Sequence, residues 1–265
     1  MTMNIRIRPF ASGLLALMLV ALAFISPAHA AAVTNQSIGA LVFEKPGANS
    51  YWEDVRSAGK SSVPFMVANP VNGPGIAVDP AYTDALNKNA MAGIRTLGYV
   101  QTNFQARAFK ESFNDVDTWF RLYPQATGIY IDLIKEGGQA EVCYAAALYT
   151  HIKNVSPNDL VVLSPGTHIS PAYEPYADIF VTANSDYATY SAWKTQYKGF
   201  EDKPQYQNRF WHVVHSVSSD NYSNAFTDVR SNNAGWVYMT DKTEPAPFTA
   251  TPSFWQNETS DVGAL

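Results

Sequence analysis

Eight short apolar runs, spread through the chain at fairly even spacing, constrain its fold more than any other feature. They read SIGALVF (37–43), VPFMVAN (63–69), RTLGYVQT (95–102), GIYIDLI (128–134), DLVVLSP (159–165), ADIFVTA (177–183), RFWHVVHS (209–216) and GWVYMTD (235–241). Near-continuous apolar runs of this length suit strands buried on both faces of a parallel sheet. Helix-like stretches separate several of them: AYTDALNKNAMAGI behind Asp79-Pro80, DVDTWFRLYP behind Asn114, and QAEVCYAAALYTHIKN behind Gly137-Gly138. Each opens at a cap or breaker and carries an apolar stripe at helical spacing. Alternating strand and helix predict an α/β fold with a parallel sheet, and eight strands in this length predict a (β/α)8 barrel. Short gaps after the fifth strand imply that some helices are shortened. An open doubly wound sheet is the alternative architecture.

The amino terminus carries a different pattern. Arg6 and Arg8 precede an uninterrupted apolar run from Gly13 to Ile25, Pro27 breaks it, and Ala28-His29-Ala30 follows. A basic start, an apolar core and a small-x-small site are the make-up of a cleavable secretory signal peptide over residues 1–30. The run is shorter than the roughly 20 apolar residues of a spanning helix. The expected product is one barrel domain over residues 31–265, secreted or periplasmic, with no membrane association after cleavage. The net charge of −5 becomes −7 once the two leader arginines are gone, which argues against nucleic acid as a partner. Cys143 is the single cysteine, so no internal disulfide can form, and its helix-like setting predicts a buried small hydrophobe.

Several chemistries lack their motifs. No G-x-G-x-x-G follows a strand, no phosphate-binding G-x-x-x-x-G-K-[ST] occurs, and no G-x-S-x-G marks a serine hydrolase. His212 and His215 lie three apart on a strand and so face opposite sides, which leaves His215 to face a site and gives no metal pair. No metal and no cofactor are expected, and nothing sets an oligomeric state.

In barrels of this kind the chemistry gathers at the carboxyl ends of the strands. Here those ends carry Glu44, Asn69, Gln101, Asn103, Asp132, Ser164, Asn184, Asp186, His215 and Asp241. Amides, hydroxyls and carboxylates of this kind bind polyhydroxylated ligands. Tyr99, Tyr130, Trp236, Tyr238 and Trp255 are the candidate aromatic platforms beside them.

Six segments, in order, resemble the spherulin-4 (spherulation-specific family 4) proteins. They are VPFMVANPVNGPG (63–75), TLGYVQTNFQAR (96–107), GIYID (128–132), ADIFVTANSDYATY (177–190), FWHVVHSV (210–217) and AGWVYMTDKTEPAPFTATPSFW (234–255). That family includes secreted glycoside hydrolases acting on galactosaminogalactan-type polysaccharides. The resemblance implies a (β/α)8 barrel and a groove for an amino-sugar polymer, with a galactosamine-containing polysaccharide as partner. It also implies an Asp-Glu pair at the fourth strand end and a glutamate at the sixth, where this chain has Asp132-Leu133 and Asn184.

One of three expected carboxylates therefore remains. Glycoside hydrolysis generally uses two carboxyl groups, and neither leucine nor asparagine can transfer the proton. Three readings follow. In the first, the chain is a glycosidase with Asp132 and a relocated second carboxylate, drawn from Glu44, Asp186 and Asp241. In the second, it is a catalytically impaired carbohydrate-binding barrel. In the third, it is a structural envelope protein.

Overall fold

The eight apolar runs form eight parallel strands in the computed structural model, which describes residues 35–193 and 199–262. The signal peptide expected over residues 1–30 lies outside the described residues. The strands are β1 (Ser37–Val42), β2 (Phe65–Ala68), β3 (Arg95–Gln101), β4 (Gly128–Asp132), β5 (Leu160–Ser164), β6 (Ile179–Asp186), β7 (Phe210–His215) and β8 (Trp236–Met239). Each pairs with the next, and β8 returns to β1, closing the barrel in sequence order. The helices are α1 (Tyr51–Ser57), α2 (Gly59–Ser62), α3 (Pro80–Met91), α4 (Phe109–Leu122), α5 (Gln139–Val155), α6 (Tyr187–Trp193), α7 (Tyr222–Ser231) and α8 (Trp255–Asp261). Only a six-residue 3-10 turn, Pro171–Tyr176, crosses from β5 to β6, as the short spacing there predicts. Among the described residues, no helix is long and apolar enough to cross a membrane.

A local signal explains the start of α3. Asp79 caps α3 by accepting from the Ala81 N–H at 2.9 Å, with Pro80 at the first helical position. The fourth helix departs from expectation, starting at Phe109 rather than after Asn114. Phe109 and Phe113, one helical turn apart, meet with ring centres 4.2 Å from each other, and Phe109 also contacts Tyr144 of α5. That packing outweighs the Asn114 cap signal. Cys143 also departs from expectation, being exposed on α5. The buried stripe of that helix is Val142, Ala145, Leu148 and Ile152, and position 143 lies off it.

Close contact between layers depends on Gly98, in the middle of β3. Its missing side chain admits Trp119 of α4, and a Cβ there would lie 2.3 Å from the indole. The same indole donates to the Tyr99 carbonyl at 2.7 Å. Gly98→Ala should therefore lower stability by about 1–3 kcal/mol through overpacking, measured as a fall in the thermal unfolding midpoint. An unchanged midpoint would show that α4 can retreat freely.

Candidate functional site

Strand phase decides which side chains reach the barrel mouth. Alternate residues of a strand share a face. Tyr99 and Tyr130 are paired across β3 and β4 and stack inside the barrel, and Tyr130 meets Trp211 of β7. Two residues further along, Gln101, Asp132 and Ser164 are in mutual register and share that inward phase. On β7 the same phase runs from Trp211 through Val213 to His215.

β6 would lose this phase without its irregularity. Val181 pairs with Trp211 but Ala183 pairs with His212, so Thr182 is an extra residue. A bulge of this kind re-aims the side chains that follow it. Asn184 then lies opposite inward Val213, and Asp186 opposite inward His215.

Asp132 is the most embedded carboxyl of the mouth. Tyr99 donates its hydroxyl to Asp132 Oδ2 at 2.7 Å, and Ser164 and the Leu133 N–H also bond the carboxyl. Tyr130 in turn donates to Ser164 Oγ at 2.8 Å, which leaves the Ser164 hydroxyl proton free to point at Asp132. Desolvation raises the Asp132 pKa, and it prevails over the three hydrogen bonds, which pull the other way. Asp132 thus keeps its proton to a higher pH than an ordinary aspartate.

Asp186 has the opposite setting. Its carboxylate caps α6, accepting from the Thr189 N–H at 2.9 Å and the Thr189 hydroxyl at 2.7 Å. The Thr189 N–H chiefly holds its pKa down, followed by the Thr189 hydroxyl, and nearby His215 contributes to the same direction. His215 is nearly buried; desolvation lowers its pKa and outweighs the pull of Glu244 and Asp186. Its Nδ1 lies 3.0 Å from Ser216 Oγ, and its Nε2 lies 3.8 Å from Glu244 Oε1.

The backbone beside Asp132 is strained. Asn103, Phe104, Gln105 and Leu133 all lie in the left-handed region, with φ of 50°, 52°, 63° and 51°. Such conformations cost non-glycine residues roughly 1–2 kcal/mol each and persist only where surroundings enforce them. Here Thr102 Oγ1 and the Phe104 N–H both donate to the Leu133 carbonyl, at 2.5 and 2.6 Å. Arg107, held at 2.8 Å from Asp115 of α4, closes the turn from its far side. At Leu133 the left-handed turn sends the N–H back onto the Asp132 carboxyl.

Three further amides, Asn69, Gln101 and Asn103, stand at the strand ends. Asn69 is nearly buried; its Nδ2 donates to Asn72 Oδ1 at 3.3 Å, while its Oδ1 is buried with no hydrogen-bond partner. An unmatched buried acceptor costs free energy until a donor arrives. Gln101 shares the inward phase beside Asp132, and Asn103 begins the strained turn.

Several sequence-based expectations need correction. Tyr130 and Tyr238 are not platforms. Tyr130 lies two residues before the end of β4 and Tyr238 one before the end of β8, both fully buried, with hydroxyls bonded to Ser164 and to Tyr51. Tyr99 is buried as well and acts on Asp132 through its hydroxyl. Trp236 opens β8 at the amino end of the barrel, where its Nε1 donates to the Asn208 carbonyl. Trp255 opens α8 in the helical layer, buried, with Nε1 donating to the Asp54 carbonyl of α1. Glu44 and Asp241 are each engaged by other partners. Glu44 accepts from the Lys45 N–H. Asp241 is tied to Lys242 and the Ser253 N–H, and although burial opposes them, these bonds hold its pKa down.

Three mouth residues lie outside the sequence-based binding set. Ser164 is legible as a strand end but not as a partner of Asp132. Phe43 follows Gly39 and Leu41 in phase and meets Tyr99 and Phe248 edge-on; strand parity could have found it. Glu244 sits in the loop after β8, which carries no periodic signal. Among the described residues, no group of three or more His, Cys, Asp or Glu is placed to hold a metal.

Fold and strand ends together define a (β/α)8 barrel protein with ionisable and amide side chains gathered at the carboxyl ends of its strands. The family model for spherulation-specific family 4 matches residues 42–262, and the chain belongs to that family. Spherulin-4 of Physarum polycephalum is 32% identical over 259 residues, covering 94% of this chain and 77% of the relative. The crystal structure of Aspergillus clavatus Sph3 in complex with GalNAc matches with a TM-score of 0.73 at 22% identity, covering 87% of this chain and 98% of Sph3. A β-D-glucuronidase of Dictyoglomus thermophilum matches with a TM-score of 0.53 at 9% identity, over 87% of this chain and 51% of that one. These structural likenesses establish the barrel.

Proposed function

We propose that this chain is an exported glycoside hydrolase acting on an amino-sugar-containing exopolysaccharide, with residues 1–30 removed and the barrel formed by residues 31–265. The observation that carries this reading is the pair of inward strand-end carboxyls whose surroundings push their pKa values apart, Asp132 upward and Asp186 downward. A carboxyl that keeps its proton to higher pH, together with one that ionises at lower pH, is the division of labour that glycosidic cleavage needs. Asp132 donates its proton to the glycosidic oxygen as the C–O bond breaks. Ionised Asp186 takes up the proton of the incoming water or steadies the positive charge developing on the sugar. Neutral His215, Gln101, Asn184 and the unpartnered Asn69 Oδ1 supply hydrogen bonds for hydroxyl and acetamido groups. The complex of Aspergillus clavatus Sph3 with GalNAc supports a galactosamine-containing polymer as the substrate class.

A second reading, a sugar-binding barrel without catalysis, is favoured by a specific observation. Both Asp186 oxygens are already engaged by Thr189, and Leu133 and Asn184 transfer no protons. The pH dependence of hydrolysis separates the two. Activity should rise as Asp186 ionises, at a pH below that of an ordinary aspartate, and fall as Asp132 loses its proton, at a pH above it. Asp186→Asn should remove the acidic limb and slow turnover by about 100-fold. Retention of the polymer with no cleavage at any pH would leave the binding reading alone.

A further inference from the structure

Tyr99 and Tyr130 are buried and offer no ring face to a ligand on the Asp132 side of the mouth. We propose that Phe104 is a sugar-stacking platform beside Asp132, a subsite for the apolar face of a hexopyranose ring. The proposal rests on the glycan reading above and adds a residue that reading does not use.

Phe104 is 53% exposed, in a turn whose backbone is pinned directly to the residue after Asp132. It is the middle of three consecutive left-handed residues, Asn103, Phe104 and Gln105. A surface turn selected only for stability would place glycine or asparagine at such positions. An aromatic in the middle one leaves about half of its surface in water and carries the conformational cost.

The turn is held from every side. The Phe104 N–H donates to the Leu133 carbonyl, the Ala106 N–H to the Asn103 carbonyl, and the Arg107 N–H to the Thr102 carbonyl. Gln105 reaches across to the Glu141 carbonyl of α5 at 3.2 Å. A backbone fixed in this way needs no further ordering when a ligand covers the ring it carries, which lowers the cost of the contact. Strain retained in such a setting is a mark of ligand clamps. A flat apolar face with polar edges is what a pyranose ring offers to it, while the acid and amides of the mouth meet the hydroxyls.

The test uses the full chain carrying Asp132→Asn, so that binding is read without cleavage, titrated with partially deacetylated galactosaminogalactan by calorimetry. Phe104→Asn keeps a residue that tolerates the left-handed conformation and removes the ring. It should raise the Kd by about 10- to 100-fold, the loss expected when a large apolar side chain is no longer covered, with an unfolding midpoint no lower than that of its parent. Phe104→Trp should restore binding. Equal affinity of Phe104→Asn and its parent would overturn the platform while leaving the glycan reading intact. Absence of binding by the parent itself would overturn both.

Discussion

Replacing Asp132 by asparagine should slow hydrolysis by about 10²–10⁴-fold, the range typical for loss of a general acid, without unfolding the barrel. Asparagine still accepts the Tyr99 hydroxyl and can donate to Ser164 Oγ, so the interior layer of Tyr99, Tyr130 and Ser164 stays supported. What disappears is the proton, because an amide cannot deliver one to a leaving oxygen. The loss should fall on kcat with KM little changed, since the proton is transferred only in the transition state. The basic limb of the pH profile should vanish with it. A variant within threefold of wild type would mean that the acid lies elsewhere in the mouth.

The second large effect concerns stability. Glu258 of α8 is completely buried behind β8, where its Oε1 accepts from the Met239 N–H at 2.8 Å and its Oε2 has no partner. Burial pushes its pKa from 4.5 up to about 8. Between those values the folded chain binds a proton that the unfolded chain has released. Stability therefore falls as pH rises through this window, and the loss is complete above about 8. At 1.36 kcal/mol per unit the effect reaches at most about 5 kcal/mol. Glu258→Gln mimics the protonated form. It should leave stability unchanged near pH 4 and raise it by several kcal/mol at pH 9, as measured by denaturant unfolding at both values. A variant that is equally destabilised at both pH values would show that the carboxyl is ionised in the fold.

The barrel was legible in the sequence because its strands are buried on both faces. The eight runs needed no partner to be recognised, and the gap between residues 165 and 177 is too short for a full crossover helix. Helix starts followed where a side chain closes a local hydrogen bond, as Asp79 does, and failed where packing between helices decided, as at Phe109. In the candidate site, strand ends were legible but depth was not. Tyr130 and Tyr238 sit one inward step below the mouth, and that step fixes whether a ring stacks on a ligand or fills the core. The Thr182 bulge, which turns Asn184 and Asp186 inward, has no sequence mark because it arises from pairing between β6 and β7. Trp255 belongs to a resembling segment but stands on a helix, where its indole bonds to α1. The contrast between the two carboxyls was equally hidden, since it depends on Tyr99 meeting Asp132 while Thr189 meets Asp186.

The most direct measurement is the release of reducing ends from partially deacetylated galactosaminogalactan by the wild-type chain and by Asp132→Asn, with the products sized by mass spectrometry. The account predicts oligosaccharides from the wild type and essentially none from the variant, which still binds the polymer. Equal release from both, or a wild type that neither cleaves nor binds, would contradict it.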